Sequence, residues 1–234
     1  DLGVNKFHGS IPSSLGDLKF LNELVLGVNN FTITTESTSS ECSFIAPLTR
    51  ARNLEEFHIE SNPLNCILPL WVGNFSSSLQ DFYASSCNIK GYIPSEIGNL
   101  SGLVTLALQQ NDLIGVIPSA LNKLSNLQRL RLGRNQLIGS IPIAICESKT
   151  IGLISLYRNQ LTGSIPECLG NVSSLRYIHL SSNNLTSGLP ASIWNLKDLL
   201  EFNVSLNSIT GSLSSQIGNL KAATLIDVST NLFT

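Results

Sequence analysis

Arginine, tyrosine and histidine side chains recur in the middle of this chain at spacings that favour anion binding. Arg129 and Arg131 are two residues apart, so on a strand they point to the same side. Two guanidinium groups placed in this way can hold a carboxylate through charge-assisted, often bidentate hydrogen bonds. Arginine and tyrosine are also enriched where proteins bind partners. The predicted ligand-binding residues are Arg129, Arg131, Arg134, Tyr157, Arg158, Arg176, Tyr177 and His179.

The elements that must position these side chains are short strands of a repeated pattern. Residues 103–127 follow L-x-x-L-x-L-x-x-N-x-L-x-G-x-I-P-x-x-L-x-x-L, after which the pattern starts again. Apolar side chains stack on their counterparts in neighbouring coils, and the Asn amide can satisfy backbone groups that the turn leaves unpaired. The steps between aligned positions are 24, 33 and 25, followed by six steps of 24. The aligned ladder positions are Asn5, Asn29, Asn62, Cys87, Asn111, Asn135, Asn159, Asn183, Asn207 and Asn231.

This register predicts an α/β solenoid of leucine-rich repeats. Its parallel sheet is expected on the concave face, and Ile-Pro segments and short 3-10 or helical turns are expected outside. Residues 1–234 form a single array of about ten coils, and a Ser/Thr-rich insertion at 32–45 is expected to be a solvated excursion. Such an insertion is either a tolerated surface loop or a small contact site for a partner. Because both ends lie inside repeats, the chain is expected to be a fragment without end caps, a transmembrane segment or a kinase domain.

Composition and motifs exclude several classes of function. The formal net charge of −2 argues against nucleic acid as a partner, and no apolar run approaches the roughly 20 residues that span a bilayer. We find no nucleophile elbow, phosphate loop or kinase signature, and the three histidines are too scattered for a metal site. We therefore predict a protein that is not an enzyme and that has no metal or cofactor.

The pattern with its Gly-x-Ile-Pro element resembles the plant-specific leucine-rich repeats of receptor-like kinases and receptor-like proteins. Two stretches, NPLNCILPLWVGNFSSSLQDFYASSCNIKGYIP and LRYIHLSSNNLTSGLPASIWNLKDLLEFNVS, are most similar to the branch with the rice Xa21-type and bacterial elongation-factor receptors. The resemblance implies a right-handed plant-type superhelix. It also implies an extracellular region that senses a peptide or protein, with a membrane span and a Ser/Thr kinase outside this chain and a co-receptor as a second partner. The Arg129-x-Arg131 pair resembles the pair with which several plant peptide receptors hold a free carboxyl terminus.

Two other functions remain open at this point. Polygalacturonase-inhibiting proteins use a similar repeat, so a secreted inhibitor of a cell-wall-degrading enzyme is the alternative, although their paired-Cys end caps are missing here. A truncated array with no function of its own is the third interpretation.

Cysteines and glycosylation sequons fit an exported protein. Cys146 and Cys168 lie on adjacent coils at similar offsets, and stacking of the coils predicts a disulfide between them on the outer side. The pairing of the other three cysteines stays open, and an odd total leaves at least one thiol free. Six N-x-S/T sequons are candidate glycosylation sites: Asn30, Asn74, Asn99, Asn171, Asn184 and Asn203.

The outward strand positions change in charge along the chain. Glu23, Glu56, His58, Glu60, Asp81 and Tyr83 make the amino-terminal part acidic, whereas the predicted ligand-binding residues make the middle basic and aromatic. The alternative is that solvated strand faces simply carry polar residues. We predict a ligand that is acidic or has a free carboxylate.

Overall fold

The computed structural model describes residues 1–33 and 40–234 and contains the predicted repeat as stacked coils. Nine of the coils each contribute one strand to a parallel sheet, here called the main sheet. This confirms the predicted leucine-rich-repeat fold with its parallel sheet and outer 3-10 turns. The main sheet consists of β2 (Glu23–Val25), β4 (Glu56–His58), β5 (Asp81–Tyr83), β7 (Thr105–Ala107), β9 (Arg129–Arg131), β11 (Leu153–Ser155), β13 (Tyr177–His179), β15 (Glu201–Asn203) and β17 (Leu225–Asp227).

Side chains along each strand of the main sheet point alternately into the core and to the outward face. The central residues Leu130, Ile154 and Ile178 are fully buried and stack in register on one another. The residues before and after them in the same strand point to the opposite face, because successive strand side chains alternate. The core is therefore one continuous apolar column, and the opposite face of the sheet is free to carry polar groups.

The remaining strands follow the ladder turns and form parallel sheets at the side of the array. Five of them pair as one side sheet, and the other four pair as β1 with β3 and β16 with β18. They are β1 (His8–Ser10), β3 (Asn30–Thr32), β6 (Lys90–Tyr92), β8 (Asp112–Val116), β10 (Gln136–Gly139), β12 (Gln160–Gly163), β14 (Asn184–Leu185), β16 (Thr210–Gly211) and β18 (Leu232–Phe233). Gly115 in β8 takes a φ of +77°, which a residue without Cβ adopts at no steric cost. Ser187 adopts +68° at the corresponding place and has no such freedom.

Short 3-10 turns cover the side of each coil opposite the main sheet. Seven of the eight turns are preceded by proline, whose fixed φ near −65° suits the extended N-cap position. In the last turn Ser214 takes this place with φ −67°, and its hydroxyl accepts a hydrogen bond from the Gln216 amide at 3.1 Å. The turns are Ser13–Asp17, Leu70–Asn74, Ser95–Asn99, Ser119–Lys123, Ile143–Glu147, Glu167–Asn171, Ala191–Asn195 and Ser215–Asn219.

The ladder asparagines join each coil to the coil before it. The Asn135 side-chain amide donates to the carbonyls of Leu132 in its own coil and Leu108 in the preceding one, both at 3.0 Å. Its Oδ1 accepts from the backbone N–H of Leu113 at 3.1 Å. These groups are buried, so the amide satisfies backbone polar groups that would otherwise lack partners. Equivalent bonds recur at Asn159, Asn183 and Asn207.

Cys87 replaces the ladder asparagine where the coil is one residue longer. Its thiol donates to the carbonyls of Ile59 at 3.1 Å and Ser85 at 3.3 Å, which replaces the donor role of the amide. The acceptor role is not needed, because the Leu64 N–H donates to the Asn62 carbonyl at 2.8 Å instead. Burial raises the pKa of the Cys87 thiol to about 12, so the side chain keeps the proton that it donates.

The predicted insertion at 32–45 is only partly the solvated loop that the sequence suggests. Thr32 ends β3, and Ile45 begins a short α-helix, α1 (Ile45–Leu48). Cys42 and Phe44 are buried in the core at 0% and 5% exposure, so this end of the insertion packs into the array. The correction has a simple cause: Ser and Thr dominate the stretch, but its apolar residues lie at the two ends, where Ile33 and the residues from Cys42 onward pack against the core. The rest of the insertion, 34–39, lies outside the described residues.

Two disulfides each join adjacent coils. Cys146 and Cys168 are bonded with a Cα–Cα distance of 5.8 Å, which is the pairing expected from the stacking of the coils, and both lie on the outer 3-10 turns. Cys42 and Cys66 are bonded with a Cα–Cα distance of 5.2 Å. Within the described residues Cys87 is the remaining free thiol.

In the described ranges, 1–33 and 40–234, no helix has the length and apolar character needed to cross a membrane.

Candidate functional site

The predicted binding residues on β9 and β13 lie on either side of β11 in two rows across the main sheet. Arg129, Leu153 and Tyr177 are register partners in the first row. The second row contains Arg131, Ser155 and His179. β11 thus carries no large polar side chain between two strands that do, because its two outward positions are a leucine and a serine.

Arg129 is held toward the amino-terminal side of the sheet, away from β11. Its Nε donates to the Thr105 hydroxyl at 2.8 Å, and its Nη2 lies 3.6 Å from Asp81 Oδ1. The short side chain of Thr105 lets the guanidinium reach across β7 toward the carboxylate on β5. Part of the charge of Arg129 is therefore already compensated within the protein.

Arg176 and His179 are held by groups of their own coil and the next one. Arg176 Nη1 donates to the Ser173 carbonyl at 2.9 Å, and Nη2 lies 3.4 Å from Asp198 Oδ2. His179 Nε2 lies 2.8 Å from Glu201 Oε2. Both side chains thus turn toward carboxylates of the next coil, which lie outside the central part of the sheet.

Arg131 differs from these neighbours. Among the described residues, its guanidinium makes no hydrogen bond and no salt bridge, although the side chain is half-buried between the strands of the main sheet. A planar group with five donors and a permanent charge that lacks partners is suited to a carboxylate from outside the protein.

Two depressions lie over β11. The larger, of about 620 Å³, lies between Arg129 and Arg131 on one side and Arg176 and Tyr177 on the other, with Leu153 in its lining. The smaller, of about 190 Å³, is also lined by Arg131 and Leu153. Its other lining residues are Gln109, Ser155, Tyr157 and His179.

Tyr157 is held in place by a close approach to the backbone. Its ring lies over Gly133 in the preceding coil, where an added Cβ would overlap the ring carbons. Glycine at 133 therefore lets the aromatic ring lie flat along the sheet, beside the smaller depression. No sequence signal other than the stacking of coils connects these two positions.

Arg134 and Arg158 lie apart from the other predicted residues. Both follow the strands, occupy left-handed turns with φ of 55° and 52°, and are exposed at the edge of the array. Neither of them lines either depression. The structure thus brings six of the eight predicted residues together around β11.

Sequence reasoning missed the neutral residues of this site. Leu153 and Ser155 are the outward residues of β11, and Gln109 lies on the coil before β9. The Gln109 Oε1 atom is shielded from solvent and has no hydrogen-bond partner among the described residues. The alternation of β11 gives the outward position of Leu153, but only the folded surface shows that this leucine lines both depressions.

In the acidic amino-terminal part of the main sheet, the charged and aromatic side chains lie close to one another. His58 Nε2 lies 3.4 Å from Glu56 Oε2, and its Nδ1 lies 4.0 Å from Glu60 Oε1. The imidazole also packs on the Tyr83 ring, with centroids 4.5 Å apart. These groups lie close together without hydrogen bonds between them, and His58 Nε2 and Glu60 Oε2 are shielded from solvent with no hydrogen-bond partner among the described residues.

The six sequons occupy different surfaces. Asn203 is half-buried in β15, where its Oδ1 accepts from the Ser205 N–H at 3.0 Å and the Ser205 hydroxyl at 2.8 Å. Asp227 accepts equivalent bonds from Ser229 in the next coil, and these bonds hold the pKa of the Asp227 carboxyl below its usual value. The other five, all exposed, are Asn74, Asn99 and Asn171 at the ends of 3-10 turns and Asn30 and Asn184 at the starts of side strands.

Comparisons with known proteins agree with this fold. The coils, ladder and sheets define a leucine-rich-repeat array, and the family model described as Leucine Rich Repeat matches residues 78–100, 126–148 and 174–196. The chain is similar to the receptor kinase-like protein Xa21 of Oryza sativa subsp. japonica, with 35% identity over 98 residues. That match covers 42% of this chain and 9% of Xa21, so the chain corresponds to a small part of that relative.

Solved structures of plant receptors share the same architecture. A TDR receptor superposes with a TM-score of 0.89 and 29% identity over 98% of this chain and 38% of that one. The ectodomain of the plant membrane receptor kinase GASSHO1/SCHENGEN3 from Arabidopsis thaliana superposes with a TM-score of 0.85 and 26% identity, over 100% of this chain and 30% of that one. The chain is thus built of leucine-rich repeats, and the proteins it resembles are plant receptor kinases.

Proposed function

We propose that this chain is a segment of the extracellular ligand-recognition region of a plant receptor kinase. In this proposal it binds a peptide or protein ligand on the main sheet, across β9, β11 and β13. The segment itself carries out no chemistry, and the kinase activity belongs to a part of the receptor outside this chain. The array acts as one recognition unit, because the site is built from three consecutive coils.

The similarity to receptor kinases supports this class of function. The solved GASSHO1/SCHENGEN3 ectodomain is in complex with Casparian strip integrity factor 2, so a neighbour of this fold is known as a ligand-binding ectodomain. The alternative of an inhibitor of a cell-wall-degrading enzyme is not favoured, because the similar proteins are receptors. Recruitment of a co-receptor by the bound ligand is part of the proposed mechanism.

An extracellular location fits the chemistry of the chain. Disulfides persist in oxidising compartments, and the array has two of them. Five sequons are exposed, as glycosylation requires. The proposed location is therefore the apoplastic side of the plasma membrane, with no membrane contact by this segment.

The unpartnered Arg131 guanidinium is the observation that carries the proposal. Its neighbours Arg129 and Arg176 are drawn toward Asp81 and Asp198, whereas Arg131 keeps its charge and donors available beside two depressions. A carboxylate on the ligand, either an acidic side chain or a free carboxyl terminus, would complete its hydrogen bonds.

The test is capture of peptides by the secreted chain. A synthetic library of N-acetylated random hexapeptides with free carboxyl termini is passed over the immobilised protein, and captured peptides are sequenced by mass spectrometry. We expect Arg131→Ala to weaken binding of the captured peptides about thirtyfold, as for a charged contact in a desolvated pocket.

The matched control is Arg50→Ala, because Arg50 is an exposed arginine that pairs with Asp17 and does not line either depression. This variant should bind like the parent protein. Failure of the parent protein to capture any peptide, or equal binding by Arg131→Ala, would overturn the proposal.

A further inference from the structure

We propose that the site selects ligands in which a large apolar side chain lies next to the carboxylate. The apolar side chain enters the larger depression over Leu153, and the carboxylate binds Arg131. The inference rests on the proposed function and specifies the ligand chemistry of the same site.

Leu153 gives the larger depression an apolar surface in the middle of a polar sheet. It is the outward residue of β11 in the row between Arg129 and Tyr177, and it is only half-buried. Gly152, which precedes it, adds no side chain to fill the space. An apolar group that covers Leu153 would remove this surface from water, which is favourable in proportion to the area buried.

The rim of the depression is also suited to an apolar group. The head groups of Arg129 and Arg176 are held by Thr105 and Asp198, on opposite sides of the depression. Long arginine side chains present their apolar stems where their charged ends are held elsewhere. The Tyr177 ring lines the same side as Arg176. The space between these residues is therefore bordered by the Leu153 side chain, the arginine stems and the Tyr177 ring, while Gln128, Thr150 and Ser174 add polar groups to its lining.

The position of Arg131 fixes where the carboxylate must lie. Arg131 and Leu153 line both depressions, so the guanidinium borders the apolar space directly. A ligand that fills the space over Leu153 and pairs with Arg131 must carry its carboxylate within about one residue of the apolar side chain, since consecutive Cα atoms are about 3.8 Å apart.

Gln109 indicates that the rest of the ligand is a polypeptide chain. Its shielded Oε1 has no partner among the described residues, and the side chain lines the smaller depression. Leaving such an acceptor without a donor is costly. A backbone N–H of a peptide that extends from Arg131 into the smaller depression would supply the missing donor.

The experiment uses two hexapeptide libraries, one with free carboxyl termini and one with amidated termini. With the unmodified protein we expect about tenfold enrichment of Leu, Ile, Phe or Met at the position next to the carboxylate, consistent with burial of one apolar side chain. The enriched position is the last residue if the terminal carboxylate binds. It is the neighbour of an Asp or Glu, in the amidated library as well, if a side-chain carboxylate binds.

Leu153→Ser should abolish the apolar enrichment while capture remains dependent on Arg131. Leu225→Ser is the matched control, because Leu225 occupies the same row on β17 outside the depressions and should keep the enrichment. Arg131-dependent capture without an apolar preference, or a preference that survives Leu153→Ser, overturns the inference and leaves the proposed function intact. Capture of no peptide overturns both.

Discussion

The amino-terminal and central parts of the main sheet carry similar side chains in different states. Around β4 and β5, His58 is flanked by Glu56 and Glu60 and packs on Tyr83, so its possible partners are already neighbours. Around β9 to β13, the corresponding charged groups turn to the two sides and leave Arg131 without a partner. The comparison teaches that the number of charged residues does not identify a binding surface. Both parts hold groups without a hydrogen-bond partner among the described residues, namely His58 Nε2 and Glu60 Oε2 in one and the Arg131 guanidinium in the other. The central part differs in that its group is a permanent cation beside two depressions.

The two parts also differ in their backbone. The central coils repeat every 24 residues with an asparagine at each ladder position, whereas the step to Cys87 has 25 residues and a thiol in place of the amide. The regular coils thus stack their strands in uniform register, which is what places Arg131, Ser155 and His179 in one row. The irregular coil tolerates a thiol at the ladder position because the Leu64 N–H donates to the Asn62 carbonyl. The ladder side chain is then not needed as an acceptor for that N–H.

The largest predicted effect tests this difference in the ladder. Asn135→Ala removes three hydrogen bonds to buried backbone groups and should lower the free energy of unfolding by about 4 kcal/mol. Cys87→Ala removes only a weak thiol donor and should cost about 1 kcal/mol. Urea denaturation followed by circular dichroism measures both. Equal losses in the two variants would mean that the amide and the thiol are equivalent.

The disulfides provide the second test, since there is one in each part. Replacing Cys146 and Cys168 by Ser should lower the free energy of unfolding by about 3 kcal/mol, the usual value for a closed loop of this length. The same change at Cys42 and Cys66 should have a similar effect, because the separations of 22 and 24 residues are nearly equal. Thermal and urea unfolding of the two double variants decides this, and a large effect in one part alone would contradict it.

The smallest predicted effect concerns the contact that crosses the boundary between the parts. Asp81 belongs to β5 but compensates Arg129 of β9 at 3.6 Å. Asp81→Asn should release Arg129 toward the ligand and strengthen binding of captured acidic peptides about threefold, as expected for a partly exposed ion pair. Calorimetry with one such peptide measures this, with Asp17→Asn as the control on the outer surface. Weaker binding would indicate that Asp81 itself contacts the ligand.

Much of the array could be predicted from the sequence because its signals are periodic. Leu130, Ile154 and Ile178 recur every 24 residues, which gives the strands, and the turns follow from the Ile-Pro segments. The bond between Cys146 and Cys168 could be expected from stacking alone. The Cys42–Cys66 bond could not, because the insertion obscures the register of Cys42. The restraint of Arg129 depends on the small size of Thr105, which lies on the strand between Arg129 and Asp81, and a pattern based on residue type does not show such a contact.

Each ladder side chain belongs to two coils at once, so no coil holds a complete set of hydrogen bonds by itself. The stability of the array is therefore a sum over its coils and over the interfaces between neighbouring coils, and each interface contributes separately. The junction at Cys87 has one weak thiol donor, to the Ile59 carbonyl of the preceding coil, where the others have an amide, and neither disulfide crosses it. Under a pulling force between the two ends, we expect extension to begin at this junction, between β4 and β5 of the acidic part, and the coils that carry the proposed binding site to separate as one intact piece.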